Sequence, residues 1–331
     1  MHESAFWSTP VLQSVLPVVA ASRHVRTDQA AIERVAKWMA AEEVGYPSGG
    51  LQIDTKGDDD LLTDYQMFTN SINFAFTDFT NSVKFEGFRE GRWWSDSEGM
   101  IACTLNALDA GIPIFDGSWM ANCTVADLEQ VFKGNIRMPM LEERVEIFHG
   151  VGEVLAERYQ GRWRNWLASC APTLYANGDG LLERLHAEFP RYRDVSPYDG
   201  NEVQLYKLGQ LALWGLHHMH KGTGRFALQD LGNVTAFADY IVPVALEAME
   251  ITEYTPELRR RIEAGDEILR DSAEEVEIRA HTLYATAALT EAINHHRPAD
   301  RQLVIPQVDW RLWSHYHATH YPHHLTRTVM Y

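Results

Sequence analysis

Apolar residues recur every three to four positions through most of this chain, the spacing that places them on one face of a helix. After Asp28, the residues Ile32, Val35, Ala36 and Met39 share such a face, predicting a helix to Val44. Ser95-Asp96-Ser97-Glu98 has the form of a capping box and predicts a helix through Ile101, Leu105 and Leu108 that stops at Gly111. Thr124-Val125-Ala126-Asp127 opens another that ends near Gly134. Leu141 to Tyr159, Leu181 to Phe189, Val203 to His220 and Val234 to Met249 continue the pattern. Glu274 to Ile293 predicts a long amphipathic helix. Strand signals are few. Val83 to Phe88 alternates, and Arg92-Trp93-Trp94 follows a glycine turn, which predicts one hairpin. Gly45 to Asp60 is polar and rich in Gly and Asp, hence a loop. Strands and helices do not alternate, which disfavours a doubly wound sheet. The expected fold is mostly α, with one small β-hairpin. No composition shift, linker or repeat marks a boundary, so residues 1–331 are expected to form a single compact helical domain.

Composition narrows the partners. Hydrophobic residues make up 45% of the 331 positions, enough for a real core. The net charge is −17, with 46 acidic residues against 29 basic ones. A protein that grips a nucleic-acid backbone carries a basic face, so intact DNA or RNA is a poor partner and a small nucleotide remains a good one. The three cysteines, Cys103, Cys123 and Cys170, form no CxxC pair and fit neither a disulfide framework nor a zinc ribbon. The N-terminal stretch lacks a basic region and contains two prolines, so a first helix is expected there instead of a signal peptide. No apolar run reaches the ~18 residues of a membrane span. A cytoplasmic enzyme without a membrane partner is the expectation.

Two runs combine a carboxylate with aromatic rings. In Val308-Asp309-Trp310-Arg311-Leu312-Trp313, Trp313 lies at i+4 from Asp309 and would share its helix face. A carboxylate among indoles can stabilise a sugar cation or attack a sugar carbon, while the rings stack on a planar base. Asp309 could equally cap a last short helix whose tryptophans, Trp310 and Trp313, fill the core. In Thr235-Ala236-Phe237-Ala238-Asp239-Tyr240, Asp239 can accept two adjacent donors of a guanine-like base edge, with Phe237 or Tyr240 stacking on the ring. The plain alternative is that Asp239 caps the helix containing Pro243. A third run, Ser71 to Asp78, interleaves Asn73, Phe74 and Asp78 without a regular period, as a pocket wall or an irregular packed segment would. In Glu274-Glu275-Val276-Glu277-Ile278-Arg279, Glu277 falls between apolar neighbours, and Glu275 with Arg279 forms an i,i+4 pair.

Histidines cluster at His217, His218 and His220, and again at His315, His317, His320, His323 and His324. A metal-dependent hydrolase could use them, but no HExxH run or clear carboxylate partner accompanies them, and no metal or other cofactor is expected. Dinucleotide, P-loop and serine-hydrolase signatures are absent.

Taken together and in order, the runs resemble the queuosine salvage proteins, the queuosine 5′-phosphate N-glycosylase/hydrolase family. The resemblance rests on SINFAF at 71–76, GRWWSDSEGMIACTLNALDAGIPIFD at 91–116 and LEERVEIFHGVGEVL at 141–155. It continues with FPRYRD at 189–194, YK at 206–207, TAFADYIVP at 235–243, EVEIR at 275–279, VDWRLW at 308–313 and HLTRTVMY at the C-terminus. It implies a helical fold related in shape to DNA glycosylases and release of queuine from queuosine 5′-monophosphate. It implies Asp309 as the catalytic acidic residue and Phe237 and Asp239 in base recognition, with Asn73 and Phe74 lining the pocket. Lys207 and Arg279 are then candidate phosphate partners, and Glu277 a further carboxylate. Three positions depart from the family's usual runs: Thr77 stands in place of a tryptophan, and Ile241 and Leu208 in place of arginines. A non-catalytic deazapurine-binding protein is the alternative of a different class.

Overall fold

A computed structural model of the chain describes residues 4–45, 50–78, 83–317, 319 and 321–331. Among them are fourteen α-helices and three two-stranded antiparallel strand pairs, so the fold is mostly α as expected. The chain divides into two compact units. The first comprises Met1–Pro47, Asp194–Gln210 and Asp230–Thr328, and the second comprises Ser48–Arg193, Leu211–Gln229 and Val329–Tyr331. No helix among the described residues is long and apolar enough to cross a membrane.

The first unit is built around the helix Ala273–His295, which packs against Pro10–Ala21, Gln29–Met39 and Ile305–Tyr316. The expectation of an amphipathic helix is corrected here. From Glu275 to Ile293 this helix is buried on nearly every side, as a core helix is. Its polar residues are accommodated locally: Thr282 and Thr290 hydroxyls donate to the carbonyls of Ile278 and Thr286. The helix after Asp28 forms as expected, because the Asp28 carboxylate accepts from the Ala30 and Ala31 N–H groups, but it ends at Met39 instead of Val44. Two strand pairs escaped the sequence pattern. Val25–Thr27 pairs with Thr252–Tyr254, and Val195–Tyr198 with Asn201–Gln204. Segments this short give no usable alternation. The first pair closes an apolar cluster of Val25, Tyr254, Leu258, Ile262, Ile268 and Ile278.

One further correction shapes the site. The helix expected over Val234 to Met249 is confined to Val242–Ala248. Side chains from elsewhere in the unit claim the backbone groups that a longer helix would need. The Thr235 N–H donates to Gln210, the Phe237 N–H donates to Asp309, and the Ala238 carbonyl accepts from Arg279. The helix predicted from Val203 likewise begins only at Lys207, after Tyr206 at φ +47°.

In the second unit, the predicted hairpin forms between Glu86–Arg89 and Arg92–Ser95. The helix behind it, Asp96–Asp109, stops just before Gly111 at φ +78°. Its expected capping box is not made, because the Ser95 hydroxyl turns to the Glu86 carboxylate. The box at Thr124 and Asp127 is made, opening Val125–Val131. Leu141–Arg158 and Leu181–Glu188 follow the predicted bounds closely.

Candidate active site

Asp309 lies in the second turn of the helix Ile305–Tyr316, which opens with Pro306 in its first turn. That placement removes the reading of Asp309 as an N-cap. Its side chain is 3% exposed, and its Oδ2 accepts the Phe237 N–H at 2.9 Å across 72 residues of chain. The VDWRLW and FADY runs therefore meet at one buried hydrogen bond. Burial, and next the charge of Asp239, push the Asp309 carboxyl well above the ordinary carboxylate range; the Phe237 N–H and Lys207 oppose this.

Asp239 is not the N-cap, which is Ile241, but from two residues earlier it holds the helix start with one oxygen only. Its Oδ1 accepts the N–H groups of Ile241 and Val242 at 2.8 and 3.0 Å, at the start of Val242–Ala248. Among the described residues no protein group bonds to its Oδ2, nor to Oδ1 of Asp309. Lys207, the first residue of the helix Lys207–Met219, completes the group. Its side chain is buried, and burial pulls the ammonium below its usual range against the attraction of Asp239 and then Asp309. Among the described residues no carboxylate lies within 4.0 Å of that ammonium. Two carboxylates and one ammonium thus share a buried region with polar atoms left uncommitted. Carboxylate oxygens and an ammonium that no protein group bonds, gathered in one place, suit a polar ligand.

The remaining predicted residues divide clearly. Phe237 is buried beside this trio. Tyr240 stacks on His323 with ring centroids 4.6 Å apart. Trp310 and Trp313 are half-buried and stack on each other at 5.4 Å, and Trp313 stacks in turn on His317 at 4.4 Å. Arg279 uses Nε on the Ala238 carbonyl and both terminal nitrogens on Asp194. Its guanidinium is therefore committed to protein partners. Glu277 belongs to a different task. Its two oxygens accept the N–H groups of Arg23, His24 and Val25 and the Tyr198 hydroxyl, fixing the chain into the strand Val25–Thr27. Glu277→Ala is expected to lower the unfolding free energy by about 3 kcal/mol or more, because four donors lose one buried acceptor. Urea denaturation measures it, and a change within about 0.5 kcal/mol would show that these bonds contribute little.

Asn73, Phe74 and Asp78 lie in the second unit. Phe74 is fully buried, with the guanidinium groups of Arg144 and Arg191 at 4.2 and 5.0 Å from its ring centre. Arg144 also donates to the carbonyls of Ile72, Phe74 and Ala75, so side-chain bonds hold the irregular SINFAF run until the Phe76 carbonyl accepts the Phe85 N–H. Asn73 and Asp78 are half-buried. Two cavities in this unit, of about 240 and 380 Å³, are lined by none of the predicted site residues. The histidines are spoken for locally: His220 bonds Thr63, His217 accepts the Leu228 N–H, and His218 packs edge-on to Trp214. His320 lies outside the described residues. Among the described residues no group of three or more His, Cys, Asp or Glu side chains is placed to hold a metal. Sequence reasoning gave no role to Asp194, Arg144 or Arg191, although all three fall inside the LEERVEIF and FPRYRD runs.

Comparison with known proteins decides the family. The family described as "Queuosine salvage protein" matches residues 53–331. A relative from Sphaerobacter thermophilus, named queuosine 5′-phosphate N-glycosylase/hydrolase, is 33% identical over 325 residues, 97% of either chain. The chain belongs to the queuosine salvage protein family. Eukaryotic members with the same name are similar as well. The Bos taurus protein is 26% identical over 82% of this chain and 81% of its own. The Schizosaccharomyces pombe protein is 26% identical over 92% and 90%. Within this salvage protein the three departures from the family's usual runs sit beside the site or in the second unit. Leu208 is buried in the first turn after Lys207, Ile241 donates its N–H to Asp239, and Thr77 forms a bridge with Lys84.

Proposed function

We propose that this chain hydrolyses the N-glycosidic bond of queuosine 5′-phosphate, releasing queuine for reuse in tRNA modification. The names of its relatives support the reaction. The observation that carries it at the level of residues is the buried trio of Asp309, Asp239 and Lys207, each with an open polar atom. The open Oδ2 of Asp239 is suited to the adjacent donors of a deazaguanine edge, and Phe237 to stacking on its ring. Lys207 is suited to the phosphate or to balancing the two carboxylates. Tyr240, Trp310 and Trp313 belong to the proposed surroundings of the substrate. We read 1–331 as one working domain, because the family match spans parts of both units.

Asp309 performs the chemistry in this proposal. A buried carboxylate is poorly solvated, which is why its carboxyl is shifted upward. As the C–N bond lengthens, positive charge grows on the ribose and supplies the counter-charge that the site lacks. The interaction is therefore strongest in the transition state, where it lowers the barrier. Water adds to the sugar carbon, directly or after a glycosyl–Asp309 intermediate, and its proton balances the departing base. An acidic chain with net charge −17 suits a nucleotide better than intact tRNA, and the cytoplasm is the proposed compartment.

Chromatography of queuosine 5′-phosphate incubated with the purified protein tests the proposal. Queuine and ribose 5-phosphate are expected in equal amounts, unaffected by exhaustive EDTA treatment. Intact nucleotide retained by the protein would make it a binder, and loss of activity with EDTA would make it a metal enzyme.

A further inference from the structure

Two arms of the proposed site hang from one buried ion pair. Asp194 is 3% exposed and Arg279 1%. The guanidinium grips the carboxylate through both terminal nitrogens, at 3.0 and 2.6 Å, the bidentate geometry that fixes direction as well as distance. Glu275 lies 3.5 Å from the same guanidinium, one turn earlier on the helix.

Each partner of the pair also holds one arm. Asp194 receives three consecutive N–H groups. Its backbone carbonyl accepts from Leu205 and Tyr206 at 2.9 and 3.1 Å, and its carboxylate from Lys207 at 3.2 Å. Gathering three successive donors on one residue requires a tight turn, and Tyr206 makes it at φ +47°, a conformation that costs a non-glycine residue energy. Lys207 starts its helix directly after that turn. Arg279, through Nε, donates to the Ala238 carbonyl at 3.1 Å and so fixes the peptide preceding Asp239. Asp239 is fixed on its other side by its own bonds to Ile241 and Val242.

Lys207 faces Asp239, Asp309, Arg279 and Asp194 as charges, and Asp309 faces Asp239 and Lys207. With no direct contact between the ammonium and either carboxylate, their coupling depends on spacing alone. In a buried setting that coupling changes steeply with distance. We propose that the Asp194–Arg279 pair is a positioning device: it sets the spacing of Lys207 from Asp239 and Asp309, and through it the charge state and aim of Asp309. The proposal deepens the hydrolase reading and rests on it for its kinetic consequence. It also gives Arg279 a different task from phosphate binding, since its nitrogens are committed to Asp194 and Ala238.

Arg279→Lys and Asp194→Asn in the full chain test it. Arg279→Lys keeps the charge but loses the fork and the bond to Ala238, and Asp194→Asn keeps an acceptor for the Lys207 N–H but loses the charge. The deciding measurement is the titration of the Asp309 carboxyl, followed by carbon NMR of aspartate-labelled protein whose fold is checked by circular dichroism. Both variants are expected to displace that titration, and to lower kcat about 100-fold with KM changed only a few-fold. An unmoved Asp309 titration in both folded variants overturns the proposal, even where Tm or kcat falls, because the pair would then be scaffold only. Failure of the hydrolase reading shows itself separately, as a wild-type protein that releases no base, and the titration still decides the positioning role.

Discussion

Asp309→Asn is expected to lower kcat for queuine release by about 10³-fold or more, the loss seen when one well-placed charge-stabilising group is removed from a dry site. The same substitution is expected to make the protein more stable near neutral pH. The two effects share one cause. The folded-state pKa of Asp309 is raised well above its ordinary 3.8. Between those values the folded chain binds more protons than the unfolded chain, so stability falls as pH rises through the folded value. The buried Asp309 carboxyl therefore costs stability above its ordinary value, and asparagine removes that cost while an amide oxygen can still accept the Phe237 N–H. A rise in Tm of roughly 2 °C or more at pH 7, alongside the lost activity, is the expected signature. The acid limb of kcat/KM follows from the same shift. Activity should rise with pH as Asp309 loses its proton, at a pH well above 3.8. A wild-type rate in the variant would remove Asp309 from catalysis. An acid limb near the ordinary carboxylate value would assign the ionisation to another group.

The site was only partly legible in the sequence. A carboxylate beside two indoles looks the same whether it caps a helix or faces a ligand. The difference lies in whose N–H it accepts, and the donor here comes from Phe237, 72 residues away. Helices with strong local signals were legible, such as those after Asp28 and Thr124, because the cap and the apolar face lie within a few residues. The helix expected from Val234 failed at its first two turns because Gln210, Asp309 and Arg279 take its backbone groups, a competition no local pattern reports. Ser95 failed as a cap for a similar reason, its hydroxyl drawn to Glu86 on the neighbouring strand. Glu277, a carboxylate flanked by apolar residues in the sequence, is buried as those neighbours are. Its partners, the backbone of 23–25 and Tyr198, come from distant parts of the unit, so burial was legible and purpose was not. Asp194, which ties Lys207 to Arg279, had no local signal beyond its place at the end of FPRYRD.

Asp239→Asn separates the two tasks that one side chain performs. Oδ1 of Asp239 holds the start of the helix Val242–Ala248, and Oδ2 is open. An asparagine can keep an oxygen on the Ile241 and Val242 N–H groups, because two donors there select the carbonyl end of the amide. The open position then carries an NH₂ group, which opposes donors on the base edge with more donors. Queuine affinity is expected to fall about tenfold to a hundredfold, corresponding to the ~1–3 kcal/mol of a well-made base-edge pair. The fold is expected to stay within about 0.5 kcal/mol of the wild type. Asp239→Ala loses the hold on the helix start as well, so its stability should drop by about 1 kcal/mol in addition to the loss of affinity. Isothermal titration with queuine and urea denaturation on both variants resolve the two effects. If asparagine left queuine affinity unchanged, the open oxygen would not meet the base. Asp239 would then hold the helix start, with a charge that serves the site only by pushing the Asp309 carboxyl upward.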